Sequence, residues 1–213
     1  MSAQNNTPSD AGSTPPSPRL PGDPSETPEL ARDLIFRGAK YDFEQITLRD
    51  QHGGTIQRQA VRHPGAAVIL PILYPDLATS PASAQIVFIR NYRFAPRVVL
   101  WELPAGTMER GEDPILTAAR ELEEETGYSA ATLIPLGRFY TTPGMTDEMM
   151  HAYAAFGLRP VGQRLEADEN ITVRPIAVEE AMAMIDRGEL VDGKTVVALL
   201  LAERKGLFRG RLG

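Results

Sequence analysis

The chain has no cysteine, one tryptophan, three histidines and no long apolar run. Without cysteine there are no disulfides, no thiolate metal sites and no cysteine nucleophile. His63 and His151 have no partner at metal-ligand spacing, so packing roles are expected for both. Trp101 reads as core. No stretch approaches the roughly 18 apolar residues that a membrane span requires. The first residues lack a basic segment followed by an apolar one, so no secretory signal is expected and the placement is cytoplasmic. A surplus of positive charge is also missing: 22 Lys and Arg face 28 Asp and Glu. Nucleic-acid binding needs a basic surface to displace phosphate counterions, which argues against that class of partner.

The location of the formal net charge of −6 is more informative than its size. From Glu102 to Glu125 there are eight acids and two bases, a balance of −6, and the remainder of the chain is neutral. A solvated helix face is the ordinary reading of such a run, and the spacing within it decides otherwise.

Seven of the 18 prolines fall within residues 1–28, among Ser, Thr, Asn, Asp and Gly. That segment cannot bury enough surface to offset its ordering entropy and is expected to be disordered. Residues 29–213 suit one domain. Strands are expected within Leu30–Leu48 and at Thr55–Val61, joined through a hairpin turn at Asp50–Gly54. Ala66–Leu73 is apolar throughout, the mark of a buried strand. Further strands are expected at Gln85–Tyr92, Val98–Leu103, Leu133–Tyr140, Met150–Leu158 and Asn170–Ile176. Helices are expected at Pro114–Thr126, Val178–Arg187 and Thr195–Arg204. The first begins with a carboxylate cap and a proline in its first turn, and ends at Gly127. The order of elements predicts an α/β (α+β) domain with a mixed sheet.

On the helix from Pro114 to Thr126, Ile115, Ala119 and Leu122 recur at core spacing. Glu121, Glu124 and Glu125 lie at i, i+3 and i+4, so their carboxylates emerge on one face. Like charges this close repel, and a hard divalent cation such as Mg²⁺ or Mn²⁺ would offset that, with a phosphate substrate supplying further ligands. Arg120 can reach back to Glu112. Leu103–Gly106 reads as a tight turn whose carbonyls could complete a metal shell.

These residues carry a resemblance. Gly106, Glu112, Arg120-Glu121-Leu122, Glu124-Glu125, Gly127 and Tyr128 match the Nudix box, G-x5-E-x7-R-E-U-x-E-E-x-G-U with U apolar, over residues 106–128. The resemblance implies the Nudix fold, an α/β/α sandwich around a mixed sheet, and cleavage of a nucleoside diphosphate linked to another moiety. Trp101–Gly106, Asn91-Tyr-Arg93, Thr142–Glu148 with its Pro143, and Val191–Thr195 resemble the ADP-ribose pyrophosphatase branch. ADP-ribose is therefore the first substrate expected. GDP-mannose or another nucleotide sugar is the alternative, and an inactive nucleotide-sensing Nudix domain, which the intact box disfavours, ranks lower.

The resemblance also assigns residues. It implies Mg²⁺, with Mn²⁺ a substitute, held by Glu121, Glu124, Glu125, Glu169 and the Ala105 carbonyl. It gives catalytic duties to Glu112, Arg120, Glu124, Glu166 and Glu169, with Glu166 the candidate base. Relatives often show two acids separated by one residue, and Ala167 stands where the partner of Glu169 would be. Arg58, Arg93, Tyr41 and Met145 are implied on the substrate side, Tyr41 as a stacking aromatic. A homodimer is implied in which N-terminal segments complete the neighbouring site.

One motif competes. Gly188–Thr195 fits the P-loop pattern G-x4-G-K-[ST], which requires a preceding strand. Here the preceding stretch has helical spacing, so Gly188 is expected to end one helix and Asp192 to cap the next.

Overall fold

The computed structural model describes residues 29–74, 84–165 and 170–208. The expectations for residues 1–28 and for Glu166 and Glu169 lie outside the described residues. Strands β1 (Glu29–Arg37), β2 (Asp42–Arg49) and β3 (Thr55–Arg62) form an antiparallel sheet with β2 in the middle. The turn between β2 and β3 is built by Asp50, whose Oδ1 accepts from the amides of His52 and Gly54 at 2.7 and 3.0 Å. Aspartate favours such turns because its short side chain bonds its own downstream backbone.

The main sheet centres on β4 (Ala66–Leu73), flanked by β5 (Gln85–Arg93) and β10 (Met149–Phe156). Beyond these lie β12 (Ile171–Ala177) and β9 (Thr132–Tyr140), giving the order β12-β5-β4-β10-β9. β6 (Val98–Glu102) pairs with β5, and β7 (Ala105–Thr107) pairs with β4. Only the β4–β10 pairing is parallel, so the sheet is mixed, as the sequence predicts. β8 (Tyr128–Ser129) and β11 (Arg159–Pro160) form a small pair of their own.

Three helices appear among the described residues: α1 (Pro114–Thr126), α2 (Val178–Asp186) and α3 (Gly193–Arg204). Successive side chains of a strand point to opposite faces. In β4, Val68, Leu70 and Ile72 join Ala181 and Met184 of α2 and Ala198 and Leu199 of α3. Ala67 and Ile69 pack on the other face with Ala118 and Leu122 of α1. Helices on both faces leave no wet side, which is why this strand is apolar throughout. Each of its buried Ile and Leu side chains contributes about 1.5–3 kcal/mol relative to exposure. The result is an α/β/α sandwich.

α1 begins and ends where its sequence says. Asp113 accepts from the Ile115 amide at 3.1 Å, and Gly127 closes the helix at φ 73°, its amide donating to the Glu123 carbonyl at 2.9 Å. The buried face differs from the expected stripe. Ile115 is 37% exposed and Ala119 is half-buried, whereas Thr117, Ala118, Glu121, Leu122, Glu125 and Thr126 are buried. The helix is rotated because Glu125 finds a polar partner on β7 and the place left by Gly106 admits the Glu121 carboxylate, so the acidic side packs inward.

Two further observations bear on the site. Leu103–Gly106 is not a tight turn: Ala105 and Gly106 belong to β7, and Pro104 accepts from the Ile69 amide at 2.9 Å. Gly188–Thr195 joins α2 to α3 with no strand before it, so the P-loop reading fails. Asp192 caps α3 by accepting from the Thr195 amide at 3.1 Å. Gly188, at φ 71°, follows the C-cap residue Arg187. No helix among the described residues is long and apolar enough to cross a membrane.

Candidate active site

β7 and α1 build one wall of the site. Because β7 pairs with β4, its backbone runs past the last turns of α1, and the Ala105 amide donates to Glu125 Oε2 at 2.8 Å. Glu121 lies one turn earlier, and its carboxylate occupies the place where Gly106 lacks a side chain. Any Cβ at position 106 would overlap that carboxylate, which explains glycine there. Glu121 and Glu125 are 8% and 3% exposed.

Arg120 ties the acids together. Its guanidinium donates to Glu121 at 2.7 Å and to Glu124 at 3.1 Å, and lies 3.7 Å from Glu112. The Glu109 amide donates to Glu112 at 2.8 Å and, together with Arg120, holds its carboxyl below the usual range. The expected reach of Arg120 toward Glu112 is present. Among the described residues no three Asp, Glu or His side chains are gathered closely enough to enclose an ion. The donor set nevertheless fits a hard divalent ion. Glu121, Glu124 and Glu125 offer carboxylate oxygens from adjacent turns, and the missing Cβ of Gly106 leaves room for one of them.

Beside this wall opens a cleft of about 470 Å³. Ala105, Gly106 and Thr107 border it, Asp192, Gly193 and Lys194 at the start of α3 lie along another side, and Tyr41 and His63 also line it. The two rings stack, with centroids 4.8 Å apart and planes at 21°. His63 Nδ1 accepts from the Gly65 amide at 3.0 Å, which leaves Nε2 to face Glu148 Oε1 at 3.5 Å. Burial pushes the imidazole pKa below its usual value against the opposing pull of Glu148 and Asp147, favouring the neutral ring.

A latch sets the position of His63. The Val61 amide donates to the Met145 carbonyl at 2.9 Å, and Asp147 accepts from the His63 amide at 2.8 Å while pairing with Arg62 at 2.6 Å. The Thr142–Glu148 segment thus clamps the joint between the N-terminal sheet and β4.

A second strap runs over the end of α1. The Gly127 carbonyl accepts from Val161 at 2.8 Å, the Glu124 carbonyl from Arg164 at 3.0 Å, and the Glu125 carbonyl from the Gln163 side chain at 2.6 Å. A Cβ at Gly127 would lie 2.7 Å from the Gln163 nitrogen, so this glycine serves both the left-handed turn and the strap.

Of the substrate-side residues expected, Arg93 and Tyr41 line the cleft and Arg58 and Met145 do not. Arg58 sits on β3 and donates only to the adjacent Gln57 carbonyl among the bonds described. Met145 is 57% exposed, and its backbone serves the latch instead. Trp101 is half-buried, edge-on to the buried Phe88 at 6.5 Å with Arg90 lying 5.0 Å over its ring. His63, Glu148, Glu102 and Lys194 were not anticipated at the site. Glu148, Glu102 and Lys194 stood inside quoted motifs, but nothing local marked their partners.

Residues 66–199 match the NUDIX domain family, which covers more than half of the chain and includes both site walls. The chain belongs to the Nudix family. This Nudix protein is 32% identical over 182 residues to an ADP-ribose pyrophosphatase of Bacillus subtilis, covering 84% of this chain and 94% of that one. It is 37% identical over 176 residues to an ADP-ribose pyrophosphatase of Mycobacterium tuberculosis, covering 80% of each. A GDP-mannose pyrophosphatase of Yersinia enterocolitica matches at 29% identity over 85% of this chain and 95% of its own. In fold, the Nudix protein resembles a solved ADP compounds hydrolase, with a TM-score of 0.69, 21% identity, and coverage of 86% and 96%. Nudix enzymes typically use divalent metal ions, in keeping with the hard oxygen donors on α1.

Proposed function

We propose that this Nudix pyrophosphohydrolase cleaves ADP-ribose, adding water across the diphosphate to give AMP and ribose 5-phosphate. The observation that carries the reading is the pair of buried carboxylates, Glu121 against Gly106 and Glu125 against the Ala105 amide, beside an open cleft. The relatives named ADP-ribose pyrophosphatases support this substrate over GDP-mannose, whose named relative matches at lower identity.

Glu121, Glu124 and Glu125 would hold Mg²⁺, with the Ala105 carbonyl and Glu169 as further ligands. Such an ion supplies charge neutralisation at the diphosphate and lowers the pKa of bound water. Arg120 holds Glu121 and Glu124 in place and keeps their repulsion in check. Arg93 offers its remaining donors to the diphosphate side, since a planar guanidinium suits phosphate oxygens. Tyr41, braced by His63, offers a face for stacking the base. Glu166 is the proposed base.

The test is a panel of ADP-ribose, GDP-mannose, diadenosine polyphosphates and NADH, each with Mg²⁺ and with Mn²⁺. ADP-ribose should show the highest kcat/KM, and EDTA should abolish turnover until Mg²⁺ is restored. Preference for another compound in the panel would replace the substrate, and EDTA-resistant turnover would remove the metal.

The N-terminal sheet supports the homodimer. All nine residues of β1 are exposed, and Leu34, Ile35 and Phe36 expose 47, 58 and 60% of their surface. Apolar side chains so placed mark an interface. A partner's cleft would also give Arg58 a role that its own cleft does not. Sedimentation should report twice the chain mass of 23.3 kDa, and Phe36→Glu should shift the protein toward monomer; a monomeric wild type would remove the proposal.

A further inference from the structure

Two segments far apart in the chain, Trp101–Gly106 and Val191–Thr195, interlock in the structure. Glu102, the last residue of β6, is fully buried. Arg93 donates to both of its carboxylate oxygens, at 2.7 and 2.5 Å, and Lys194 Nζ donates to Oε2 at 2.6 Å. Lys194 also reaches Asp192 at 3.0 Å. Asp192 in turn accepts from the Thr195 hydroxyl at 2.6 Å, and that hydroxyl accepts from the Leu103 amide at 2.8 Å. Three residues of the late segment thus have separate duties. Asp192 caps the helix, Thr195 ties it to the strand leading into β7, and Lys194 meets the buried carboxylate.

Both cations border the cleft, as does Asp192, whereas Glu102 is sealed beneath them. An ammonium has three N–H groups and a guanidinium five. The bonds described use two of those on Lys194 and two of those on Arg93. A fully buried carboxylate is costly unless it is paired, and here one carboxylate orients two long side chains that would otherwise sample many rotamers. That orientation is fixed before any ligand arrives, which spares the ordering cost on binding. The cluster holds two cations, Arg93 and Lys194, and two carboxylates, Glu102 and Asp192, so its formal charge is zero. Lys194, already bonded to the carboxylates of both Glu102 and Asp192, suits the oxygen atoms of a sugar with its remaining donor better than it attracts a second phosphate, and the diphosphate is left to Arg93.

We propose that Lys194 contacts the sugar moiety attached to the diphosphate, and that Glu102 is the positioning residue that aims Lys194 and Arg93 into the cleft. This rests on the reading that the cleft takes a nucleoside diphosphate sugar, of whichever base. Asp192 shares the wall as the second acceptor of the lysine.

The experiment measures steady-state kinetics of Lys194→Met, Glu102→Gln, the double variant and Lys194→Arg, on whichever panel compound the wild type hydrolyses best, with Mg²⁺. Melting temperatures are recorded for each. Lys194→Met should raise KM about tenfold with kcat little changed, the loss of one charge-assisted hydrogen bond made equally in ground and transition states. Glu102→Gln should raise KM by a similar factor. The double variant should be hardly worse than either single one, because both act through one wall. Lys194→Arg, which keeps a cation and donors, should recover most of the loss. A Lys194→Met protein that melts near the wild-type temperature with unchanged KM would overturn the contact, and additive losses in the double variant would overturn the positioning role. A merely structural network would lower the melting temperature and leave KM alone. If the wild type prefers GDP-mannose to ADP-ribose, that reading fails in the panel while the Lys194 test proceeds on GDP-mannose; a preference for a diadenosine polyphosphate overturns both. A wild type that hydrolyses none of the panel overturns both.

Discussion

Glu125→Gln should lower kcat by about a thousandfold and leave the protein folded. The substitution is chosen for what it keeps. Glutamine retains a side-chain oxygen that can accept from the Ala105 amide, so the link between β7 and α1 survives. What it removes is the negative charge. Metal-assisted stabilisation of a transferring phosphoryl group is worth several kcal/mol, and about 1.4 kcal/mol corresponds to a tenfold change in rate, so a loss of about three decades is the expected scale. The check is kcat on ADP-ribose across a range of Mg²⁺ concentrations, alongside a melting curve. Turnover within a few-fold of wild type would show that this carboxylate holds no essential ion. A collapse of the melting temperature would instead mark Glu125 as a structural acid whose burial needs its full charge.

Gly106→Ala tests the same wall from the opposite side. Gly106 does not sit in a left-handed conformation, so alanine is compatible with its backbone. The added methyl group has no space, because the Glu121 carboxylate already lies there. Something must shift, and the far end of the glutamate is the softest element nearby. We expect a fall in kcat of about a hundredfold, since a misplaced catalytic group can cost that much. Stability should change little, because the carboxylate can swing while the strand pairing of β7 holds. Glu121→Gln in the alanine background should add little further loss if both changes act on one carboxylate. Full multiplicative losses would place the effect of Gly106 elsewhere.

β4 and α1 were legible in the sequence because each is specified locally. An apolar run between prolines needs only its own residues to announce a strand covered on both faces, and Asp113, Pro114 and Gly127 mark the ends of a helix. The rotation of α1 was not legible, since an acidic stripe ordinarily faces water. It faces inward here because β7 supplies a backbone donor at Ala105 and an empty place at Gly106, and both depend on how β7 pairs with β4. The meeting of Lys194 with Glu102 spans 92 residues, and such contacts leave no local signature. The resemblance treated Arg58 and Arg93 alike. The structure separates them, placing Arg93 on a buried carboxylate in the cleft wall and Arg58 on the N-terminal sheet, away from the cleft lining.

The strap at Val161–Arg164 also governs where this chain can change length. Between Phe156 and Val161 the backbone is held at both ends, by the sheet through β10 and by the Gly127 carbonyl. Gly157 is pinned as well, its absent Cβ making room for Ala131. A residue inserted there has no slack to occupy and would pull on the turn of α1 that carries Glu124 and Glu125. The Asp50–Gly54 hairpin is closed by bonds among its own residues. There, even doubling the loop costs only about 0.6 kcal/mol of closure entropy. Insertions are therefore absorbed at the far hairpin and resisted beside the acids.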